Sequence, residues 1–367
     1  MKEYLAGFDI GATKLALVIA DRDGNIAHRL REKIDIASGH FADHKDSLAY
    51  LGIGDQMKCL LRRAMKEAGI DNVAALGIGS AGPLKDGDLR DSTNIRPIHR
   101  PESTLAQPLY IPLVQPLEEE FGIPVRLAND CVAAVLGEVY YGVGKDAKDK
   151  SDLYLVYVTL STGLGGGVWD GGHLLIGKQG NAAEVGHFFV KKDGLRCGCG
   201  NYGCAEAYCS GMGIAKNART RLIHGKLQLG EDYGAILIEL IREGAVKDRR
   251  FQNREPTKSE LLEFVTSPLV FTAAEAGDRL AQSVIGEACY FGGIAFADIA
   301  NAYDPQIITV GGTLALEHSE ILEPMKIEMH KHLNVEAPEV LSTPLGYDVV
   351  IYGAIALAQE AQGKNKR

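Results

Sequence analysis

The apolar run Tyr4 to Phe8 is followed by the small and polar stretch Asp9 to Thr13, and a second apolar run, Leu15 to Ala20, ends before Asp23-Gly24-Asn25. Runs of this length bounded by turn residues predict a strand, a turn, a returning strand and a second turn. The same design recurs in the second half of the chain. Leu153 to Thr159 reads as a strand and Ser161-Thr162-Gly163-Leu164-Gly165-Gly166-Gly167 as its turn. Val168-Trp169 then continues as a strand, and Asp170-Gly171-Gly172 turns again. Two such units predict an internally duplicated chain: two related α/β domains facing each other across a cleft, with pseudo-twofold character.

Between these units, Ala74 to Gly79 and Val125 to Ala128 read as further strands. From Cys131 to Tyr141, Val132, Val135, Leu136 and Val139 fall at helical spacing and place Asp130 just before a helix. Residues 146 to 152 read as a solvated charged connection. The stretch from about 220 to 270 is charge-rich and reads as helical, without a chemical motif. One long helical pattern from about Ala273 to Tyr303 precedes Asp304-Pro305, a strand at Ile307 to Val310 and the pair Gly311-Gly312.

Composition narrows the class. The 367 residues suit two domains of about 100 to 200 residues each. Of these residues 46% are hydrophobic and 24% charged, and no uninterrupted apolar run reaches the roughly 18 residues of a membrane span. Glu3 and Asp9 interrupt the first apolar stretch and leave no signal-peptide core, so a cytoplasmic protein is expected. A net charge of -9 without a Lys/Arg run gives no footprint for nucleic acid or a membrane surface. The seven cysteines are an odd number, which argues against a disulfide framework.

Chemistry concentrates in three places. The turn Asp9-Ile10-Gly11-Ala12-Thr13-Lys14 offers closely approaching backbone N–H groups with an acid at its entrance, which suits phosphate and a metal ion, although an ordinary hairpin also fits. Three consecutive glycines in the second turn are costly in a strand unless a ligand or another backbone comes close. Neither turn has the spacing of a Walker loop or of the Rossmann glycine fingerprint. Glu184-Val185-Gly186-His187, followed by Cys197-Gly198-Cys199 and by Cys204-Ala205-Glu206, supplies three thiolates and one imidazole. That donor set closes a tetrahedral structural zinc site formed by His187, Cys197, Cys199 and Cys204, with no open position for chemistry.

The first turn resembles the phosphate-binding hairpin of the actin-like sugar kinases. With the second turn, the zinc cluster, Gly77-Ile78-Gly79-Ser80-Ala81-Gly82-Pro83, Ala128-Asn129-Asp130-Cys131 and Asp304-Pro305 through Gly311-Gly312, nearly the whole chain resembles the ROK family of sugar kinases and regulators. The resemblance implies two actin-like (ribonuclease H-like) α/β domains with an interdomain cleft. Residues 1 to 127 would form the first domain and 128 to 367 the larger one, with a C-terminal helix able to pack back on the first. It implies ATP-dependent phosphorylation of a hexose, glucose to glucose 6-phosphate by default, with Asp130 as catalytic base.

Carried over residue by residue, the resemblance places Gly82, Asn129, Asp130, Glu184, His187 and Glu206 around the sugar. It places Asp9, Gly11, Ala12, Thr13, Lys14, Ser161, Thr162, Gly163, Gly165, Gly166, Gly311 and Gly312 around the nucleotide. Lys14 reads equally as a phosphate contact or as a solvated strand lysine. Zinc would fix the walls of the sugar pocket, magnesium would accompany ATP through Asp9, and the chain would form a homo-oligomer, a dimer or a tetramer. A position just before a helix would favour the anionic form of Asp130. Ala12, Ser161 and Ala81 depart from the family pattern without removing a donor, acceptor or ligand. An N-acetylhexosamine, fructose or mannose kinase and a non-catalytic sugar-responsive regulator are the alternatives. The regulators carry a helix-turn-helix module ahead of the first phosphate strand, for which a strand starting near residue 4 leaves no room.

Overall fold

The computed structural model describes residues 3–11, 13–34, 52–90, 110–224 and 233–364. Strands β1 (Tyr4–Ile10), β2 (Lys14–Asp21) and β3 (Ile26–Lys33) form a meander followed by helix α1 (Gly52–Ala68) and strand β4 (Leu76–Ser80). Three short strands, β5 (Leu84–Lys85), β6 (Asp88–Arg90) and β7 (Tyr110–Pro112), make a small antiparallel sheet ahead of α2 (Val114–Phe121), β8 (Val125–Asn129) and α3 (Asp130–Tyr140). The second half opens with another meander, β9 (Tyr154–Leu160), β10 (Leu164–Asp170) and β11 (His173–Leu174). Six helices follow: α4 (Glu206–Cys209), α5 (Gly211–His224), α6 (Ala235–Val246), α7 (Lys258–Glu263), α8 (Ser267–Glu275) and α9 (Arg279–Tyr303). The chain ends with β12 (Ile307–Gly311), α10 (Thr313–Glu317), α11 (Leu322–Met329), β13 (Glu339–Ser342) and α12 (Val349–Lys364).

The two large sheets have the same plan. Their strand orders are β3-β2-β1-β4-β8 and β11-β10-β9-β12-β13. In each, the first strand pairs antiparallel with its hairpin partner and parallel with the strand that returns beside it. Asp9 lies opposite Gly79 in one sheet and Thr159 opposite Gly311 in the other, at equivalent registers. The duplication read from the two meanders is therefore a property of the whole α/β architecture.

Alternation along buried strands explains the layers. In β1, Phe8 and Ile10 face a core with Met57 and Leu61 of α1, while Leu5 faces Ile351 and Ile355 of α12. In β9, Val156 and Val158 join Phe296 of α9 and Met325 of α11, while Leu155 and Tyr157 face Val135 and Leu136 of α3. Helix α3 follows the last strand of the first sheet but packs on β9 and β10 of the second. Helix α12 follows the last strand of the second sheet but packs on β1 and β4 of the first. The two helices cross where Gly353 leaves no room for a side chain, because a Cβ there would fall on the Ala133 carbonyl. Each half thus lends a helix to the other.

Three expectations need correction. The long helical pattern to Tyr303 is two helices: Gly277 takes φ +92, and Asp278 caps α9 by accepting the N–H groups of Leu280 and Ala281. The glycines Gly165, Gly166 and Gly167 lie inside β10, paired with Thr159, Val158 and Tyr157, and not in the preceding turn. Asp130 occupies the first turn of α3, with Asn129 as the cap before it. Helix α9 is long and apolar enough to cross a membrane by length and composition alone. In its most apolar window, however, 61% is buried in the protein, as in a core helix.

Candidate active site

Asn129 and Asp130 sit where β8 becomes α3. Asn129 has the extended backbone of an N-cap, and its Oδ1 accepts the Cys131 N–H at 2.9 Å. The Asp130 carboxylate accepts the same N–H at 2.8 Å. A Cβ on Gly82 would stand 3.4 Å from Asn129 Nδ2, so the Gly82 backbone and the Asn129 amide are neighbours. Asp130 as a whole is partly exposed, yet protein surrounds its carboxylate closely enough that desolvation raises its pKa, against the lowering effect of the Cys131 N–H. The anionic form expected to be favoured at a helix start is helped by these hydrogen bonds, and desolvation outweighs them.

Asp9 is on the face of β1 that looks toward α12. Burial, and then the charge of Asp130, push its pKa up to about 7, with Arg31 opposing and Asp348 adding to the rise. Asp348 itself is held by both Arg29 amino groups at 2.8 Å. The raised pKa of Asp9 carries a stability consequence. Its folded pKa lies above the ordinary 3.8, so the folded state holds a proton that the unfolded chain releases, and stability falls as pH rises from about 4 to about 7. Asp9→Asn removes that penalty. Its melting temperature should match wild type near the acid end of the window and exceed it by several degrees at about pH 8. An equal shift at both pH values in melts of the metal-free protein would contradict the burial of this charge.

The zinc-type donor set is assembled. His187 ends a 3-10 turn, Val185–His187, and its Nδ1 lies 3.7 Å from Cys197 Sγ. Cys199 Sγ and Cys204 Sγ are 3.8 Å apart, and all four ligand atoms lie within 4.8 Å of one another. Tetrahedral coordination with Zn–S bonds of about 2.3 Å demands ligand separations of about 3.8 Å, so the residues fit zinc. The knuckle is shaped by its backbone: Gly200 N–H donates to Cys197 O, Cys197 N–H donates to Asn201 O, and Gly200 takes φ +97. The other imidazole nitrogen, Nε2, points toward Glu184 at 3.9 Å. Partial desolvation raises the Glu184 pKa; His187 lowers it, and Glu206 and Asp130 raise it further, so these groups share one electrostatic environment.

On the other side of the turn Ser161–Gly163, a cleft of about 520 Å³ is lined by Ser161, Thr162, Met212, Lys216, Thr313 and His318 among others. His318 stacks on Phe271 at 3.6 Å and 9°. Gly311 ends β12, and Gly312, at φ +88 with the Leu160 carbonyl against it, is the cap position before α10 and so delivers Thr313 and Leu314 to the cleft. Val265, Thr266, Ser267 and Pro268 also line it. The charge-rich stretch from about 220 to 270, read as carrying no chemical motif, thus contributes the start of α8 to the wall of this cleft.

The first turn is tied by the Gly11 N–H to Lys14 O and by the Ile34 N–H to Thr13 O. Ala12 lies outside the described residues. Lys14 is exposed and pairs with Lys33 across the strands. The glycines Gly165 and Gly166 abut protein atoms: Cβ atoms there would stand 2.8 Å from Cys131 Sγ and 2.9 Å from Val185 Cγ2. A second cavity, of about 200 Å³, lies beside Asn129 between Leu84, Leu127, Val132, Ile176 and Gln179.

The chain is similar to known proteins over nearly its whole length. The sequence profile of the ROK family matches residues 5–361. The glucokinase of Pyrobaculum calidifontis is 31% identical over 98% of this chain and 95% of its own. The N-acetylmannosamine kinase of Shigella boydii is 32% identical over 96% and 97%. The structure of a ROK family glucokinase from Streptomyces griseus, solved in complex with glucose and AMPPNP, superposes with a TM-score of 0.68 at 29% identity, covering 97% of this chain and 99% of that one.

Proposed function

The chain belongs to the ROK family, and from that premise we propose that it transfers the terminal phosphate of ATP to a hydroxyl of a hexose, glucose first, with Asp130 as the base. The observation that carries the reading is the placement of Asp130 within electrostatic reach of two sets of groups. Its charge acts on Asp9 and on Glu184, and Glu184 in turn feels His187 and Glu206. Phosphoryl transfer passes through a loose transition state, so the protein chiefly positions the partners and neutralises charge. In this reading Gly82, Asn129, Glu184, His187 and Glu206 orient the sugar, and Asp130 accepts the hydroxyl proton late in the transfer.

The nucleotide side is read from Asp9, Gly11, Thr13 and Lys14 on one turn, from Ser161, Thr162 and Gly163 on the other, and from Gly311 and Gly312 beneath the nucleoside. The stacked His318 and Phe271 rings beside the cleft at Ser161 and Thr162 suit a purine base. Lys14 opposite Lys33 favours the phosphate-contact reading, because like charges paired across strands repel unless an anion lies near. Asp9 suits magnesium: a carboxylate driven toward its protonated form by burial and by the charge of Asp130 is relieved by a cation, which when bound would neutralise phosphate charge. His187, Cys197, Cys199 and Cys204 would hold zinc as a structural cross-link. The boundary near residue 127, a cytoplasmic setting and a homo-oligomer of two or four copies belong to the same reading, and light scattering measures the last.

The cavity beside Asn129 favours a second reading, an N-acetylhexosamine acceptor, since Leu84, Leu127, Val132 and Ile176 would take the methyl of an acyl group while Lys85, Asp86 and Arg126 on the same lining offer polar partners. Both readings are tested by one panel: glucose, mannose, fructose, N-acetylmannosamine and N-acetylglucosamine against ATP, ADP and polyphosphate. Glucose with ATP is expected to give the highest kcat/KM. An N-acetyl sugar in first place selects the second reading, and no transfer with any pair removes the kinase assignment.

A further inference from the structure

Glu206 stands two residues beyond the ligand Cys204 and opens α4. Its Oε2 accepts the Leu164 N–H at 3.1 Å, where the turn Ser161–Gly163 enters β10. Its Oε1 lies 3.5 Å from Cys197 Sγ. Further along the same segment, the Gly211 N–H donates to Ser161 O at 2.8 Å and the Met212 N–H to Thr162 O at 3.2 Å. A Cβ on Gly163 would stand 2.9 Å from Glu206 Oε2. Three backbone groups of the nucleotide-side turn are thus gripped by residues 206 to 212, a segment whose start is anchored at the zinc-type knuckle.

We propose that Glu206 is a positioning residue that couples the knuckle to the nucleotide-side turn, so that metal occupancy sets nucleotide affinity as well as the shape of the sugar pocket. The inference rests on the kinase reading. Within the turn itself only the Ser161 N–H to Gly163 O bond is made before the Leu160–Leu164 pair closes the hairpin, so the contacts from residues 206 to 212 add three further constraints on its backbone and on its exit into β10. An ionised carboxylate accepting a backbone N–H is among the stronger of such grips. Without metal, the cross-link among His187, Cys197, Cys199 and Cys204 is gone, and both the Cys197 wall and the Cys204 anchor of Glu206 are free to move. A residue that only touches hexose has no effect on nucleotide affinity when no sugar is present.

The test is calorimetric titration of sugar-free protein with AMPPNP and Mg2+, with zinc measured by elemental analysis on the same samples. Glu206→Ala should weaken AMPPNP roughly tenfold, the loss of one charge-assisted hydrogen bond. Glu206→Gln, whose amide oxygen still accepts the Leu164 N–H, should restore most of that. Gly163→Ala leaves every metal ligand intact, keeps full zinc and pushes the carboxylate off the turn, so it should weaken AMPPNP similarly. In the Glu206→Ala background the same change should add nothing, because the group it collides with is absent. Chelator-treated wild type should resemble Glu206→Ala; if it unfolds, the Gly163 cycle still decides. Unchanged AMPPNP affinity in Glu206→Ala, or full additivity in the double mutant, overturns the coupling. Wild type that binds no AMPPNP and phosphorylates no hexose overturns the kinase reading and the coupling with it.

Discussion

Asp130→Asn is expected to lower turnover by at least about a hundredfold while hexose affinity stays within a few-fold of wild type. Asn keeps the shape of the side chain and can still accept the Cys131 N–H that fixes Asp130 at the start of α3. What it loses is the ability to accept a proton. The pH profile separates this role from a purely structural one. Desolvation raises the pKa of Asp130, so the wild-type rate should fall as pH drops through a limb displaced above the usual carboxylate range. That limb should be missing from Asp130→Asn and present in Asp9→Asn, whose own group at about 7 has been removed. Wild-type turnover in Asp130→Asn, measured at saturating sugar and nucleotide, would sink the base assignment.

Strand, turn and strand were legible at both ends of the molecule because a buried parallel or hairpin strand leaves a run of apolar residues closed by small ones, as Tyr4 to Phe8 and Leu155 to Val158 do. The Cys/His cluster was legible because three cysteines and a histidine lie within 18 residues of sequence, and the fold only had to close them into one knuckle. The packing of α12 on the first sheet was implied only by the family resemblance, and the reciprocal packing of α3 on the second sheet was not read at all. The exchange depends on Gly137, Gly353 and Ala133 meeting across the centre, and small residues in a helix carry no sign of what they touch. The break at Gly277 and Asp278 was missed because apolar periodicity continues across it, and only the positive φ and the cap reveal the end of α8. The lining of the nucleotide-sized cleft by Val265 to Pro268 was beyond reach for another reason: those residues approach Ser161 only through the packing of α5 against α8.

The three glycines of β10 were read as making room for a ligand or a backbone, and Gly167 decides which. A Cβ there would fall on the Cys131 carbonyl, far inside van der Waals contact, with Val135 Cβ at 3.2 Å behind it. Backbone in the first turn of α3 has no rotamer with which to yield, so α3 must move away from β10, and it carries Asp130 with it. Gly167→Ala should therefore destabilise the protein by about 3 kcal/mol. It should also lower kcat about a hundredfold, the scale of a displacement near 1 Å at a reacting group. The nucleotide KM should be nearly unchanged. The comparison variant is Gly286→Ala, on the exposed face of α9 with no atom within 4 Å of the added methyl; it should raise stability by roughly 0.5 to 1 kcal/mol through helix propensity alone. If Gly167 instead admits phosphate, its Ala variant keeps stability and kcat while the nucleotide KM rises. Thermal melts beside steady-state kinetics of both variants distinguish the two outcomes, and the second would return the glycine run from the support of the catalytic helix to the nucleotide.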